Sequence, residues 1–524
     1  MLLTRRSSVQ SAPPRNQNSF SFNHFRKPWN HPNLYAGVEI RESCVQNSTC
    51  LVCHNGPHVI ESFRFGVVQN ASFLSPWACS ITRRSKRAKL GWYEIMRMHK
   101  TAITFAAFMA LIGWLASSGL AQTNARPARP AERTEAKGFS AAGKAALSRQ
   151  ISSAVSRGDA PGVVALIVGR GGVLYEGPAG KLDVAHDIAM PVTAIFSIAS
   201  MTKPVTSVAI MMLLEQGKLK LDDPVSKYLT GFDNLQVITM FNEKDATYET
   251  RPAKRPMTLR HLLTHTSGIA YGSFNPTVGR LKEATKKHEW ELPLVNDPGD
   301  KWAYGPSTAV LGMIVEKISG ESLEAYFQQH IFVPLGMVDT SYAVPLAKQS
   351  RVATEHSRIN GVLQEQPQEP IPATPTAPFR GDCCLYSTAQ DYGKFMQMLL
   401  NGGHLGPVKI LSENSVKMMG ENNIGPIFVE LQQAADQTLS RPFPLGASHD
   451  KFGLGFQIAS SDPKYAKFRS VGSLSWAGIY NTEFWIDPKR HIGVVMMMQV
   501  LPFYDDGAIR TLRDFEELVY QNLK

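Results

Sequence analysis

The sequence predicts a mixed fold of class α/β (α+β), a sheet with a helical domain inserted into it. Three observations carry this. Short apolar strands sit towards both ends of the folded part, at 162–169 (GVVALIVG), 172–177 (GVLYEG), 451–459 (KFGLGFQIA), 478–486 (GIYNTEFWI) and 491–500 (HIGVVMMMQV). Helical segments fill the middle. Further helices open and close the folded part, at 137–158 and 506–523.

Taken in order, 162–169 and 172–177 flank a Gly-rich turn and predict a hairpin. A Met- and Leu-rich helix over 205–216 stops at Gly217. MTLRHLLTHTSGI (257–269) predicts a helix ending in a tight Ser267-Gly268 turn. Residues 307–320 and 322–336 predict helices, each closed by Gly. The Pro- and Gln-rich stretch 360–378 predicts a long surface loop, and 388–403 another helix. Asp487-Pro488-Lys489-Arg490 turns between the last two strands. There is no internal repeat.

Charge is unevenly spread. The net charge is +11, yet residues 1–100 hold 14 Lys/Arg against 4 Asp/Glu, and the rest is nearly balanced. The basic character belongs to the leading segment, so no nucleic-acid partner is expected for the folded part.

MRMHK followed by an apolar run, Thr101 to Leu120, makes 96–121 a signal peptide or membrane anchor, with cleavage expected after Ala121. Residues 122–138 are a polar linker, and 139–524 the expected folded domain. Residues 1–95 lack apolar periodicity. They are read as an unstructured leader, preferably an artefact of the assigned start, with Met96 or Met98 the natural one. Under the other reading RRSKRAK keeps a cytoplasmic tail in place and 101–120 tethers the protein to the membrane. The location expected is periplasmic or secreted, or membrane-anchored if the run is retained. CLVCH (50–54) matches a haem-attachment pattern, but under neither reading does it reach the compartment where haem is attached. In the mature part only Cys383 and Cys384 remain. Adjacent cysteines pair only with strain, so stability must come from the core.

The chemistry starts at SIASMTKPVTS. Ser200 and Lys203 lie three apart, on one face of a helix. A serine hydroxyl needs a base, and a lysine serves only if burial or cationic neighbours lower its pKa. Pro204 is tolerated only in a first helical turn, so the helix should begin near Ser200, with free N–H groups at that hydroxyl. Spacing alone does not decide, because Ser461–Lys464 repeats the tetrad. His261 and His265 could present a metal pair, but no third ligand accompanies them, and capping a turn explains them better. Gly305-Pro306-Ser307-Thr308-Ala309 approaches a nucleophile elbow but lacks its last glycine.

FSIASMTKPVTSVAIMMLLEQGKLKLDDPVSKYL, LRHLLTHTSGIAYG, PGDKWAYGPSTAVLGMIVEKISG, GDCCLYSTAQDYGKFMQMLLNGG, FGLGFQIA and WAGIYNTEFWIDP occur in that order. Together they resemble the serine β-lactamase/penicillin-binding-protein superfamily, especially class C β-lactamases and family VIII carboxylesterases. The resemblance spans about 140–520. It implies a β-lactamase/transpeptidase-like fold, an antiparallel sheet flanked by helices with an inserted helical domain, and no metal or organic cofactor. It implies Ser200 as the acylated nucleophile, Lys203 as its activator and Tyr304 as a proton shuttle, with a neighbouring ammonium favouring the phenolate. It implies that Trp476-Ala477-Gly478 heads a strand bordering the substrate, that the N–H groups of Ser200 and Ile479 form the oxyanion hole, and that Tyr271 walls the pocket.

Two departures shape the substrate expectation. Tyr-x-Asn of the family reads Tyr304-Gly305-Pro306, and Lys-Thr-Gly or His-x-Gly reads Trp476-Ala477-Gly478. Both replace polar recognition by apolar surface. The expectation is an exported serine hydrolase cleaving small-molecule esters of small apolar acyl groups. The alternatives are a β-lactamase acting on β-lactam-like substrates, a D-amino-acid peptidase, or a penicillin-binding sensor that acylates without turnover.

Overall fold

The computed structural model describes residues 138–460 and 468–524. The leader, the 96–121 segment, CLVCH and the second tetrad at 461–464 lie outside the described residues, as does all but the last residue of the linker. Among the described residues no helix is long and apolar enough to cross a membrane.

An eight-stranded antiparallel sheet forms the frame. Its strands are β1 (Gly162–Gly169), β2 (Gly172–Asp183), β3 (Ile188–Ala189), β4 (Lys451–Phe452), β5 (Gln457–Ile458), β6 (Leu474–Gly478), β7 (Thr482–Asp487) and β8 (Ile492–Met497). They lie in the order β4-β5-β6-β7-β8-β1-β2-β3. Strands from the two ends of the folded part meet where β1 pairs with β8, Val164 opposite Met497 and Ile167 opposite Val494. Everything between β3 and β4 is the insertion.

β1 is apolar and buried at every position because both faces are covered. Val163, Ala165 and Ile167 face one core with Trp485, Val494 and Met496, closed by helices α1 (Ala141–Ser156) and α6 (Asp506–Asn522). Val164, Leu166 and Val168 face the other, where helix α5 (Ala389–Leu400) packs on β1 and β8. At the centre of the insertion lies helix α2 (Thr202–Glu215), with eleven of its fourteen residues buried, as an all-round apolar helix must be. Helix α3 (Leu259–Leu263) and helix α4 (Ser307–Ser319) pack against each other, and α4 also packs on α2.

Four expectations are corrected. The helix over 257–269 shrinks to α3, because His265 takes a left-handed φ of 54° just beyond the C-cap and stops it. The strand over 478–486 is two strands: the chain reverses at Asn481 (φ 59°), whose N–H donates to Gly478 O at 3.0 Å. Trp476-Ala477-Gly478 therefore ends β6 and does not head a strand. The strand over 451–459 is the β4–β5 hairpin. The loop over 360–378 begins as a hairpin, His356–Ile359 against Val362–Glu365, around Asn360-Gly361, a preferred two-residue turn.

The central strands should dominate stability. Phe484 on β7 is 1% exposed and its ring lies 5.1 Å from that of Tyr392 on α5. Phe484→Ala should cost about 3–5 kcal/mol, read from the midpoint of chemical denaturation. A loss under about 1 kcal/mol would show that this layer does not hold the fold.

Candidate active site

Ser200 sits in a 3₁₀ turn, Ala199–Met201, that runs straight into α2. Pro204 occupies the first turn of that helix, where its missing N–H costs nothing. Ser200 is half-buried and Lys203, one turn on, is 1% exposed. Lys203 Nζ lies 3.0 Å from Ser200 Oγ, 3.1 Å from Tyr271 Oη and 2.8 Å from the Asp382 carbonyl oxygen. Its ammonium form is penalised by burial. The Asp382 carboxylate works against that penalty and the Arg380 guanidinium with it, and the pKa falls to about 7.

Tyr304 approaches from the start of α4. Its hydroxyl donates to Ser200 Oγ at 2.9 Å. Burial pushes this phenol well above its ordinary value, so it is protonated at neutral pH and acts as a donor. That corrects the expected phenolate, because desolvation, joined by the Asp382 charge, outweighs the hydrogen-bonding help of Ser200 and Trp476. Gly305 is required by packing, since a Cβ there would strike the Ile269 carbonyl. Tyr271 N–H in turn donates to Tyr304 O at 3.1 Å, so the two tyrosines are held together.

A strap, residues 380–385, lies across α2. Thr206 Oγ1 donates to Gly381 O at 2.5 Å, Tyr342 Oη to Arg380 O at 2.6 Å, and Ile198 N–H to Leu385 O at 2.9 Å. This delivers the fully buried Asp382 to the lysine. Its carboxylate accepts from the Tyr271 hydroxyl and from Arg380, Nε to Oδ1 at 2.9 Å and Nη2 to Oδ2 at 2.7 Å. Sequence reasoning missed Asp382 and Arg380, and it took Tyr271 only as a wall. Cys383 and Cys384 are bonded to each other next to Asp382. The bond closes no long loop, so the core still carries the stability.

β6 packs against the Ser200 turn. Gly478 allows this approach, because a Cβ would collide with the Ile198 carbonyl and the Thr482 hydroxyl. Its place is thus in packing, whereas Trp476, Ala477 and Ile479 line a cavity of about 2010 Å³ together with Ser200, Tyr271 and Tyr304. The Trp476 ring stacks on His265 at 6.0 Å and lies 5.2 Å from the Tyr304 ring. The remaining candidates have structural places. His261 Nδ1 accepts from Thr258 N–H at 3.1 Å and caps α3, and His265 is buried among aromatic rings. Ser307 is fully buried, its hydroxyl 2.8 Å from that of Ser267.

A family model described as Beta-lactamase matches residues 147–518. The chain is 32% identical to Protein Rv1367c of Mycobacterium tuberculosis over 362 residues, covering 65% of this chain and 86% of that one. It is 30% identical to monacolin J acid methylbutanoyltransferase of Aspergillus terreus over 342 residues, 62% of this chain and 81% of that one. Among solved structures it is similar to a mutant of simvastatin synthase (LovD) from Aspergillus terreus, with a TM-score of 0.62 at 25% identity, covering 73% of this chain and 95% of that one.

An amine with a pKa of about 7 beside a serine can serve as general base once neutral. Its neutral fraction grows as pH rises through 7, so kcat/KM should climb across about pH 6–8 and then level. Lys203→Met should remove this limb with the activity. An acid limb near pH 4–5 would instead assign the base to a carboxylate.

Proposed function

The chain belongs to the Beta-lactamase family, whose members include serine hydrolases and acyltransferases, and on that premise we propose that it cleaves carboxylic esters through an acyl-enzyme on Ser200. The observation that carries this is the convergence of Lys203 Nζ at 3.0 Å and Tyr304 Oη at 2.9 Å on Ser200 Oγ, at the edge of a large cavity. Neutral Lys203 takes the hydroxyl proton as Oγ attacks the acyl carbon. The N–H groups of Ser200 and Ile479 receive the developing oxyanion. Tyr304 hands its phenolic proton to the departing alkoxide and is replenished from Lys203. The Ser200 proton has then left with the alcohol. Water repeats the sequence on the acyl-enzyme and releases the acid.

The apolar surface supports esters over β-lactams. Pro306 replaces an amide side chain, and Trp476-Ala477-Gly478 presents neither the cation nor the hydroxyl that would hold a substrate carboxylate. The apolar run 101–120 supports export with cleavage after Ala121, or a membrane tether if it is retained.

A second reading, acyl transfer to an alcohol, is favoured by the cavity. Its 2010 Å³ exceeds the roughly 300–1,000 Å³ of ordinary ligand sites, and a short acyl group leaves most of it empty. A bulky alcohol could replace water as acceptor. One similar protein is by name a methylbutanoyltransferase.

Protein starting at Gln122 should hydrolyse a chromogenic butyrate ester with a higher kcat/KM than a chromogenic cephalosporin. Ser200→Ala should reduce ester turnover on the order of 10⁴-fold or more. Preference for the cephalosporin would move the protein to the β-lactamase branch, and a stable adduct without turnover would make it a sensor. Transfer would show as alcohol acceptors yielding new ester at the expense of free acid.

A further inference from the structure

We propose that Asp382, clamped by Arg380, is a positioning residue that works through Tyr271 to aim the lone pair of Lys203 at the Ser200 hydroxyl. This rests on Lys203 being the base, as argued above, and goes beyond it by explaining why the neutral amine faces the serine in its accepting orientation.

Hydrogen-bond direction fixes the orientation of the amine. An ionised carboxylate only accepts. Burial works to raise the Asp382 pKa, but the Arg380 charge, the Lys203 charge while that group is an ammonium, and the hydrogen bonds from Arg380 and Tyr271 outweigh it and bring it to about 2; once the lysine is neutral, the two-point Arg380 pair still holds the carboxylate ionised. Tyr271 must therefore spend its one proton on Asp382 Oδ2. Its oxygen is left to accept an N–H from Lys203 at 3.1 Å. The Asp382 carbonyl can only accept, and takes a second N–H at 2.8 Å. A neutral amine has two N–H groups and one lone pair. With both N–H groups assigned, the lone pair falls on the third contact, Ser200 Oγ at 3.0 Å. Were Tyr271 free to rotate, it could donate to Nζ, occupy the lone pair and turn an N–H towards the serine, where it cannot act as a base.

Arg380 completes the device. A bare buried carboxylate beside Lys203 would hold it as ammonium. Arg380 is paired to both carboxylate oxygens, its side chain only 18% exposed and its guanidinium 5.8 Å from the Trp290 ring. Asp382 thus directs Tyr271 without protonating the lysine. The titratable groups around Nζ are Tyr271, Tyr304, His265, Asp382 and Arg380. Both tyrosines are kept protonated and His265 neutral, by burial above all.

The test is a double-mutant cycle on ester hydrolysis with Asp382→Asn, Tyr271→Phe and the double variant. Each single variant should lower kcat by about 10- to 1,000-fold with KM little changed. Because Asp382 acts through the Tyr271 hydroxyl, adding Asp382→Asn to Tyr271→Phe should lower kcat little further. Asp382→Asn should also move the acid limb of kcat/KM to lower pH, since the lysine loses its attracting carboxylate and faces an unpaired Arg380. Tyr271→Phe should leave that limb in place. Full activity in Tyr271→Phe, additive losses in the double variant, or an unmoved limb in Asp382→Asn would overturn the proposal. If Asp382→Asn does not fold, Tyr271→Phe decides by its kcat: a loss in that range supports the proposal and full activity overturns it. Lys203→Met, run alongside, separates the two levels: activity there would sink the base assignment itself.

Discussion

The site depends on a primary amine held out of water one helical turn from a serine. Burying an ammonium is costly unless it is paired, and a lysine relieves the cost by giving up its proton. Here the pairing is kept weak: the nearest carboxylate is already bound to an arginine, and the remaining partners are hydroxyls and a carbonyl. The amine is therefore neutral in a large fraction of molecules near pH 7, while each of its hydrogen-bond positions is filled. The surroundings serve this condition. The helix that carries it is buried along most of its length, a strap closes over it, and two tyrosines from different segments cover its tip, each ring about 5 Å from Nζ.

The sheet contributes by holding the far wall. β6 ends beside the serine turn because Gly478 leaves room for the Ile198 carbonyl, and β6 is held in turn by β7, Ser475 opposite Trp485 and Trp476 opposite Phe484. Side chains alternate across this pair. Trp476 points to the core shared with the tyrosines, and Trp485 to the core under the terminal helices. Helices from the two ends of the folded part pack together over that second core, so the insertion carrying the serine is clamped between strands that close on each other.

How far this was legible depends on the range of the contact. Ser200 and Lys203 are three apart, and Pro204 fixed where the helix starts, so their relation could be read directly. Tyr304 was legible through its resemblance to a family motif, but its protonation was not, because desolvation is a property of the assembled core. Asp382 meets Lys203 across 179 positions and Tyr271 across 111, and no local pattern announces such a contact. Strand limits failed where apolar residues ran on through a turn. At 478–482 only Asn481 marks the reversal. In the 360–378 stretch the Asn360-Gly361 pair did mark a hairpin, which the Pro- and Gln-rich composition around it obscured.

The central claim is that Ser200 becomes covalently acylated. Its most direct test is acid quenching of the protein within the first turnovers on a butyrate ester, followed by proteolysis and mass spectrometry. The account predicts one butyryl adduct, on the peptide containing Ser200, that disappears as the substrate is consumed. Turnover with no adduct on that peptide, or an adduct on another residue, would contradict it.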